Sequence, residues 1–160
     1  LHGPHSFPGL CKEDMEVWKA FEDIYDSGKT KCIGVSNVNN QQLETLCELS
    51  KVTPMVVQNR CYADRAWDQE VRDFCKQNSI LYQGFSLLTA NPAVYKIREI
   101  GQIASKYRVT IGQLIFRFSS QLGIVPLTGT TDPIHMEEDL KIFEFTLTDE
   151  EIHLIETCSI

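Results

Sequence analysis

At 160 residues, with 42% apolar and 23% charged side chains, the chain has the make-up of a globular domain able to bury a core of its own. A net charge of -7 and a pI near 5.1 exclude a broad nucleic-acid or anionic-membrane surface, though not a small local pocket for phosphate. No apolar run approaches the roughly 18 residues of a membrane span, so neither nucleic acid nor membrane is an expected partner.

The opening residues, LHGPHSFPGL, show neither a basic n-region nor an apolar h-region, so no signal peptide is read there. The first residue is Leu1, not Met, and the apolar pattern starts abruptly. Glu13 to Ser27 spaces Met15, Trp18, Phe21, Ile24 and Tyr25 by threes and fours, which predicts a helix closed by Gly28. Cys32 to Val35 reads as a short buried strand. Gln41 to Lys51 reads as a helix with Leu43, Leu46, Cys47 and Leu49 inward. Met55 to Gln58 is a second strand, Asp68 to Gln77 a helix, and Ile80 to Phe85 a third strand. Ala93 to Tyr107 and Thr110 to Gln121 follow as helices, and Ile124 to Leu127 as a fourth strand. Pro133 to Ile142 and Asp149 to Thr157 are the last helices, with Thr148 and Glu151 as a capping box.

Short apolar strands alternating with amphipathic helices predict a parallel sheet covered by helices, in one domain spanning 1–160. The first three strands recur about every 25 residues, as repeated βα units do. Two architectures fit: an open doubly wound sheet or a (β/α)8 barrel. No G-x-G-x-x-G follows a strand and no G-x-x-x-x-G-K-[ST] loop is present, which removes the usual nucleotide signatures of the open sheet. A barrel carries its chemistry at the C-terminal ends of its strands.

Those ends are polar. The first strand runs into Ser36 and Asn37, the second into Gln58 and Asn59, the third into Phe85 and Ser86, the fourth into Thr128, Gly129 and Thr130. Amides pair with a carboxamide in both directions, and an aromatic ring covers a planar face. Such a set suits holding an amide-bearing ring better than moving protons. A turn former or helix cap is the plainer reading of any one of these residues. Six scattered cysteines with no C-x-x-C pair suit free thiols in a reducing cytoplasm, the expected location. His2 and His5, without a carboxylate or thiol at fitting spacing, do not make a metal site.

Several stretches resemble the aldo-keto reductase family. GKTKCIGVSNVNNQQLETL is similar to its fifth-strand segment, G-K-x-R-x-I-G-V-S-N-F. VVQNRCY is similar to the sixth, and FCKQNSILYQGFSLL to the seventh. GIVPLTGTTDPIHMEEDLKIFEFTLTDEEI resembles the eighth strand, the cofactor loop and the C-terminal helices. LHGP resembles the end of the fourth strand, L-x-H-W-P. The resemblance implies a partial (β/α)8 TIM barrel: strands five to eight with their helices, the first three strands missing. It implies NADPH-dependent reduction of aldehydes or ketones. Ser36, Asn37 and Gln58 match the residues that hold the nicotinamide carboxamide. Phe85 stands where the family has a stacking Tyr. Ser86 and Leu88 match positions along the pyrophosphate, Thr128 the hydroxyl near the adenosine phosphate, and Glu138 and Asp139 the adenine edge. His2 matches the active-site histidine that polarises a small carbonyl substrate.

The family's catalytic Tyr, Lys and Asp belong to the missing strands, so the resemblance implies activity only where that half is supplied. The alternative is a non-catalytic half-barrel with a binding or regulatory role. Open sheet edges at both ends imply self-association. Leu127 stands for a common Lys, and His135 falls near the usual Arg for the 2′-phosphate, so NAD(H) competes with NADP(H) as the expected cofactor. Leu87 replaces the usual Pro, and the LTGTTDP loop is about two residues longer than in many relatives, which loosens the match there.

Overall fold

The computed structural model describes residues 1–158. The chain forms two compact units. One comprises Leu1–Asn59 and Gln69–Gln83, the other Arg60–Asp68 and the chain from Gly84 onward.

In the first unit, α1 (Lys12–Asp26), β1 (Gly34–Ser36), α2 (Asn40–Leu49), β2 (Val56–Arg60), α3 (Gln69–Gln77) and β3 (Leu81–Phe85) follow one another. The strands lie in chain order. β1 pairs parallel with β2, with Gly34 opposite Val56, Val35 opposite Val57 and Ser36 opposite Gln58. Leu1 continues the ladder beside β1: its amine donates to the Gly34 carbonyl at 2.8 Å, and its carbonyl accepts from the Ser36 N–H at 2.9 Å. Val35, Val57 and Tyr82 point into a core closed by Trp18, Leu43, Leu46 and Val71.

The α1 face differs from the periodic reading. Asp14, Trp18 and Glu22, four residues apart, are the buried positions, while Ile24 is exposed. Two acids go inside because each meets backbone donors there, Asp14 from nearby residues and Glu22 from Val52, 30 residues away. The Glu22 carboxylate accepts the Val52 N–H at 2.8 Å. Asp14 accepts the N–H groups of His5 (2.8 Å) and Cys11 (3.0 Å), and its Oδ1 lies 2.9 Å from the His5 ring. Burial alone pushes the Asp14 pKa up. The backbone donors and the His5 ring outweigh it and hold the carboxyl well below the usual carboxylate range. With a folded-state pKa below the unfolded value of about 3.9, Asp14 stabilises the fold fully above about pH 4 and loses that contribution as the pH falls further. Asp14→Asn is expected to cost about 1–3 kcal/mol at neutral pH and to flatten the acid limb. Urea melts at neutral and acid pH check this, and an unchanged acid limb overturns it.

In the second unit the end of β3 is followed by α4 (Arg98–Tyr107), α5 (Ile111–Gln121), β4 (Val125–Pro126), α6 (Pro133–Leu140) and α7 (Asp149–Thr157). The Leu127 N–H donates to the Gly84 carbonyl at 2.8 Å, which seats β4 beside the end of β3. The core is Trp67, Leu87, Ile100, Leu114, Phe118 and Ile155, all at most 1% exposed. Capping boxes start α2 (Asn39 with Gln42), α5 (Thr110 with Gln113) and α7 (Thr148 with Glu151, as expected), and Cys11 with Asp14 forms another at α1.

Three helix boundaries and one inward position are corrected. The helix read over Ala93 to Tyr107 is a 3-10 turn, Pro92–Lys96, broken from α4 by an extended Ile97 (φ -79°, ψ 117°). Val94 and Ile100 stay buried on either side of the break, so the apolar rhythm runs through it. The helix read from Asp68 starts at Gln69, because Ala66, Trp67 and Asp68 are all left-handed. The helix read over Pro133 to Ile142 changes to a 3-10 turn at Lys141. Leu49, read as inward, is 65% exposed at the end of α2.

Candidate functional site

The end of β1 is held by side chains reaching across to β2. Ser36 Oγ donates to the Gln58 carbonyl at 2.6 Å, and the Asn37 N–H donates to the same oxygen at 3.1 Å. The Asn37 amide donates to Ser36 Oγ at 3.1 Å and to the His2 carbonyl at 2.8 Å. The Gln58 amide donates to Gln83 Oε1 at 3.0 Å. Ser36, Asn37 and Gln58 therefore form one polar cluster at two neighbouring strand ends. Asn37 sits at φ 54°, a conformation that costs a non-glycine residue roughly 1–2 kcal/mol. Its side chain tolerates it by bonding locally. His2 contributes its backbone to this cluster, while the residue as a whole is exposed.

Two buried amides secure loops at the strand ends; the sequence reading sets Asn59 among the amides that could hold a ring, whereas its side chain is committed to Val38, and gives Asn91 no role. Asn59 clamps Val38 from both sides: its Oδ1 accepts the Val38 N–H at 3.0 Å and its Nδ2 donates to the Val38 carbonyl at 2.7 Å. In the second unit Asn91 accepts the Ala63 N–H at 2.7 Å and donates to the carbonyls of Cys61 and Leu87 at 2.9 and 2.8 Å. A polar residue inside an apolar strand, as Asn59 is, was the available signal for the first. For the second it was only Asn before Pro92.

At the end of β3, Phe85 is half-buried and Ser86 is left-handed at φ 57°. The Arg60 guanidinium lies 5.3 Å from the centre of the Phe85 ring, within cation–π reach. Beyond Ser86 a cavity of about 320 Å³ opens within this unit. Leu88, Tyr95, Ile111 and Phe116 give it apolar walls, and Thr110, Gln113, Thr128, Glu138 and Asp139 give it polar ones. Thr128 Oγ1 donates to Asp139 Oδ2 at 2.6 Å, and Gln113 Nε2 donates to the Glu138 carbonyl at 3.0 Å. Leu88, Thr128, Glu138 and Asp139 thus share one cavity.

One Tyr–Lys–carboxylate set exists in the second unit. Tyr107 donates to Glu151 Oε2 at 2.7 Å, and Lys106 to Glu151 Oε1 at 2.7 Å. The bond to Glu151 pushes the Tyr107 pKa up. That shift moves the phenol away from the range of a general acid at neutral pH, and the two bonds to Glu151 tie α4 to α7. Among the described residues no three His, Cys, Asp or Glu side chains are placed to share a metal ion, and no helix is long and apolar enough to cross a membrane.

Comparison with known proteins gives a consistent answer. Residues 5–160 match the model of the Aldo/keto reductase family. A 9,11-endoperoxide prostaglandin H2 reductase of Trypanosoma cruzi (strain CL Brener) is 32% identical, over 94% of this chain and 53% of its own. A glyoxal reductase of Bacillus subtilis (strain 168) is 31% identical, with the same coverage. The crystal structure of an aldo-keto reductase from a Medee basin deep-sea metagenome library superposes with a TM-score of 0.88 at 28% identity, over 98% of this chain and 57% of that one. The chain spans about half the length of the curated relatives it matches.

Proposed function

Because the chain belongs to the aldo/keto reductase family, we propose that it is the strand-five-to-C-terminus half of a (β/α)8 barrel that reduces aldehydes or ketones with a nicotinamide dinucleotide. The polar cluster at the ends of β1 and β2 is the observation that carries the reading. Ser36, Asn37 and Gln58 offer both donors and acceptors, as a carboxamide requires, and the strained Asn37 backbone marks the spot. The cavity of the second unit has the size and the apolar walls that suit a nucleoside.

In this reading the dinucleotide supplies the hydride when bound. Ser36, Asn37 and Gln58 orient the carboxamide, Phe85 covers one ring face, and Ser86 and Leu88 line the pyrophosphate path. Thr128, Glu138 and Asp139 hold the adenosine end. His2 donates to the substrate carbonyl. The proton donor is supplied by the first strands of the same barrel, so carbonyl reduction requires a polypeptide that carries them.

Fluorescence of the reduced dinucleotide tests binding directly. Titration with the protein is expected to change dihydronicotinamide emission saturably. Asn37→Gly keeps the left-handed backbone and removes the amide. It is expected to weaken binding by about tenfold, the worth of a lost hydrogen bond or two. Unchanged binding in a variant of unchanged stability overturns the assignment.

A further inference from the structure

We propose that the cavity of the second unit selects a dinucleotide whose adenosine ribose carries a free 2′-hydroxyl, and turns away its 2′-phosphorylated counterpart. This rests on the dinucleotide reading above and adds the ligand class. The cavity lining contains two carboxylates, Glu138 and Asp139, and neither lysine nor arginine. The segment from Thr128 to Phe143 holds a single lysine, Lys141, and Glu137 engages it at 2.6 Å. His135, the one basic side chain in the lining, lies 3.9 Å from the Asp132 carboxylate.

The N-terminus of α5 also faces the cavity through Ile111 and Gly112, and a helix N-terminus ordinarily welcomes a phosphate. Here that end is already served. Thr110 and Gln113 cap it reciprocally, and Glu138 Oε2 lies 3.4 Å from Thr110 Oγ1. The Thr128 hydroxyl donates to Asp139 and so is committed to a carboxylate. A 2′-phosphate would bring nearly two negative charges at neutral pH beside carboxylates, with no fixed cation to neutralise it. Ribose hydroxyls and an exocyclic amine bring N–H and O–H donors, which Glu138 and Asp139 accept as charge-assisted hydrogen bonds.

Calorimetric titration of the protein with NAD+ and NADP+, which differ only in that phosphate, tests the proposal. NAD+ is expected to bind at least about tenfold tighter. Raising the salt is expected to narrow the gap by screening the repulsion. His135→Arg is expected to narrow it too, by supplying the missing fixed cation. NADP+ binding as tightly as NAD+ overturns this proposal and leaves the dinucleotide reading standing. Binding of neither overturns both.

Discussion

Trp67→Ala is expected to lower the stability of the protein by about 3–5 kcal/mol, the range for emptying a buried tryptophan site. The side chain is fully buried and packs edge-on against Phe118, with ring centroids 5.1 Å apart. Its indole N–H donates to the Ile155 carbonyl of α7 at 3.2 Å, and its own carbonyl accepts from the Cys61 thiol at 3.2 Å. Ala66, Trp67 and Asp68 are all left-handed, at φ 48°, 56° and 61°. Each such residue costs roughly 1–2 kcal/mol, and the buried indole is what offsets that cost. Trp67→Phe keeps most of the ring and removes the N–H, so it is expected to cost less, about 1–2 kcal/mol beyond the volume change. Chemical denaturation of the two variants measures the difference. A loss under about 1 kcal/mol in the alanine variant would mean that something else holds the left-handed turn.

That turn shows where sequence reading stops. Arg65-Ala66-Trp67-Asp68 carries no glycine, asparagine pair or proline to announce a left-handed run. Its side-chain partners Phe118 and Ile155 lie far along the chain, where no local pattern announces them. The same holds for Glu22, an acid on an apolar stripe whose donor, the Val52 N–H, lies 30 residues away. Strands and most helices were legible because their signal is local. β-branched runs, reciprocal caps such as Thr148 with Glu151, and 3.6-residue spacing all act within one element. The candidate site divides along the same line. Ser36, Asn37 and Gln58 were visible as polar ends of apolar strands, and their mutual hydrogen bonds are now explicit. Asn59 and Asn91, which hold the loops in place, bond to backbone that only the fold brings near. The charge of the adenosine-side cavity lay between. The absence of Lys and Arg from Thr128 to Leu140 was readable, but the engagement of Thr128 by Asp139 was not.

Gly34→Ala is expected to destabilise the protein by about 2–3 kcal/mol, at the upper part of the range for overpacking, and to weaken dinucleotide binding with it. A methyl group at Gly34 would sit 2.5 Å from the Val56 carbonyl oxygen and 3.1 Å from Val56 Cβ. The first neighbour is strand backbone, which cannot swing aside as a side chain can. β1 would have to move off β2, and the register from Gly34–Val56 to Ser36–Gln58 would open with it. The two bonds that Ser36 and Asn37 make to the Gln58 carbonyl lie at the end of that register. The glycine in CIGVSN therefore serves the polar cluster two residues on, by letting the strands approach closely. Gly101→Ala provides the control. It makes the same chemical change inside α4, where the added carbon meets nothing within 4 Å. There alanine has the better helix propensity, so stability is expected to rise by about 0.5–1 kcal/mol. Opposite signs from one substitution type, read in parallel denaturation curves, would assign the Gly34 effect to strand contact and not to chain entropy. If both variants are stabilised, the close approach of β1 and β2 is not what holds Ser36 and Asn37. If Gly34→Ala lowers stability but leaves dinucleotide affinity intact, the cluster tolerates a shifted strand, and its part in holding a carboxamide falls.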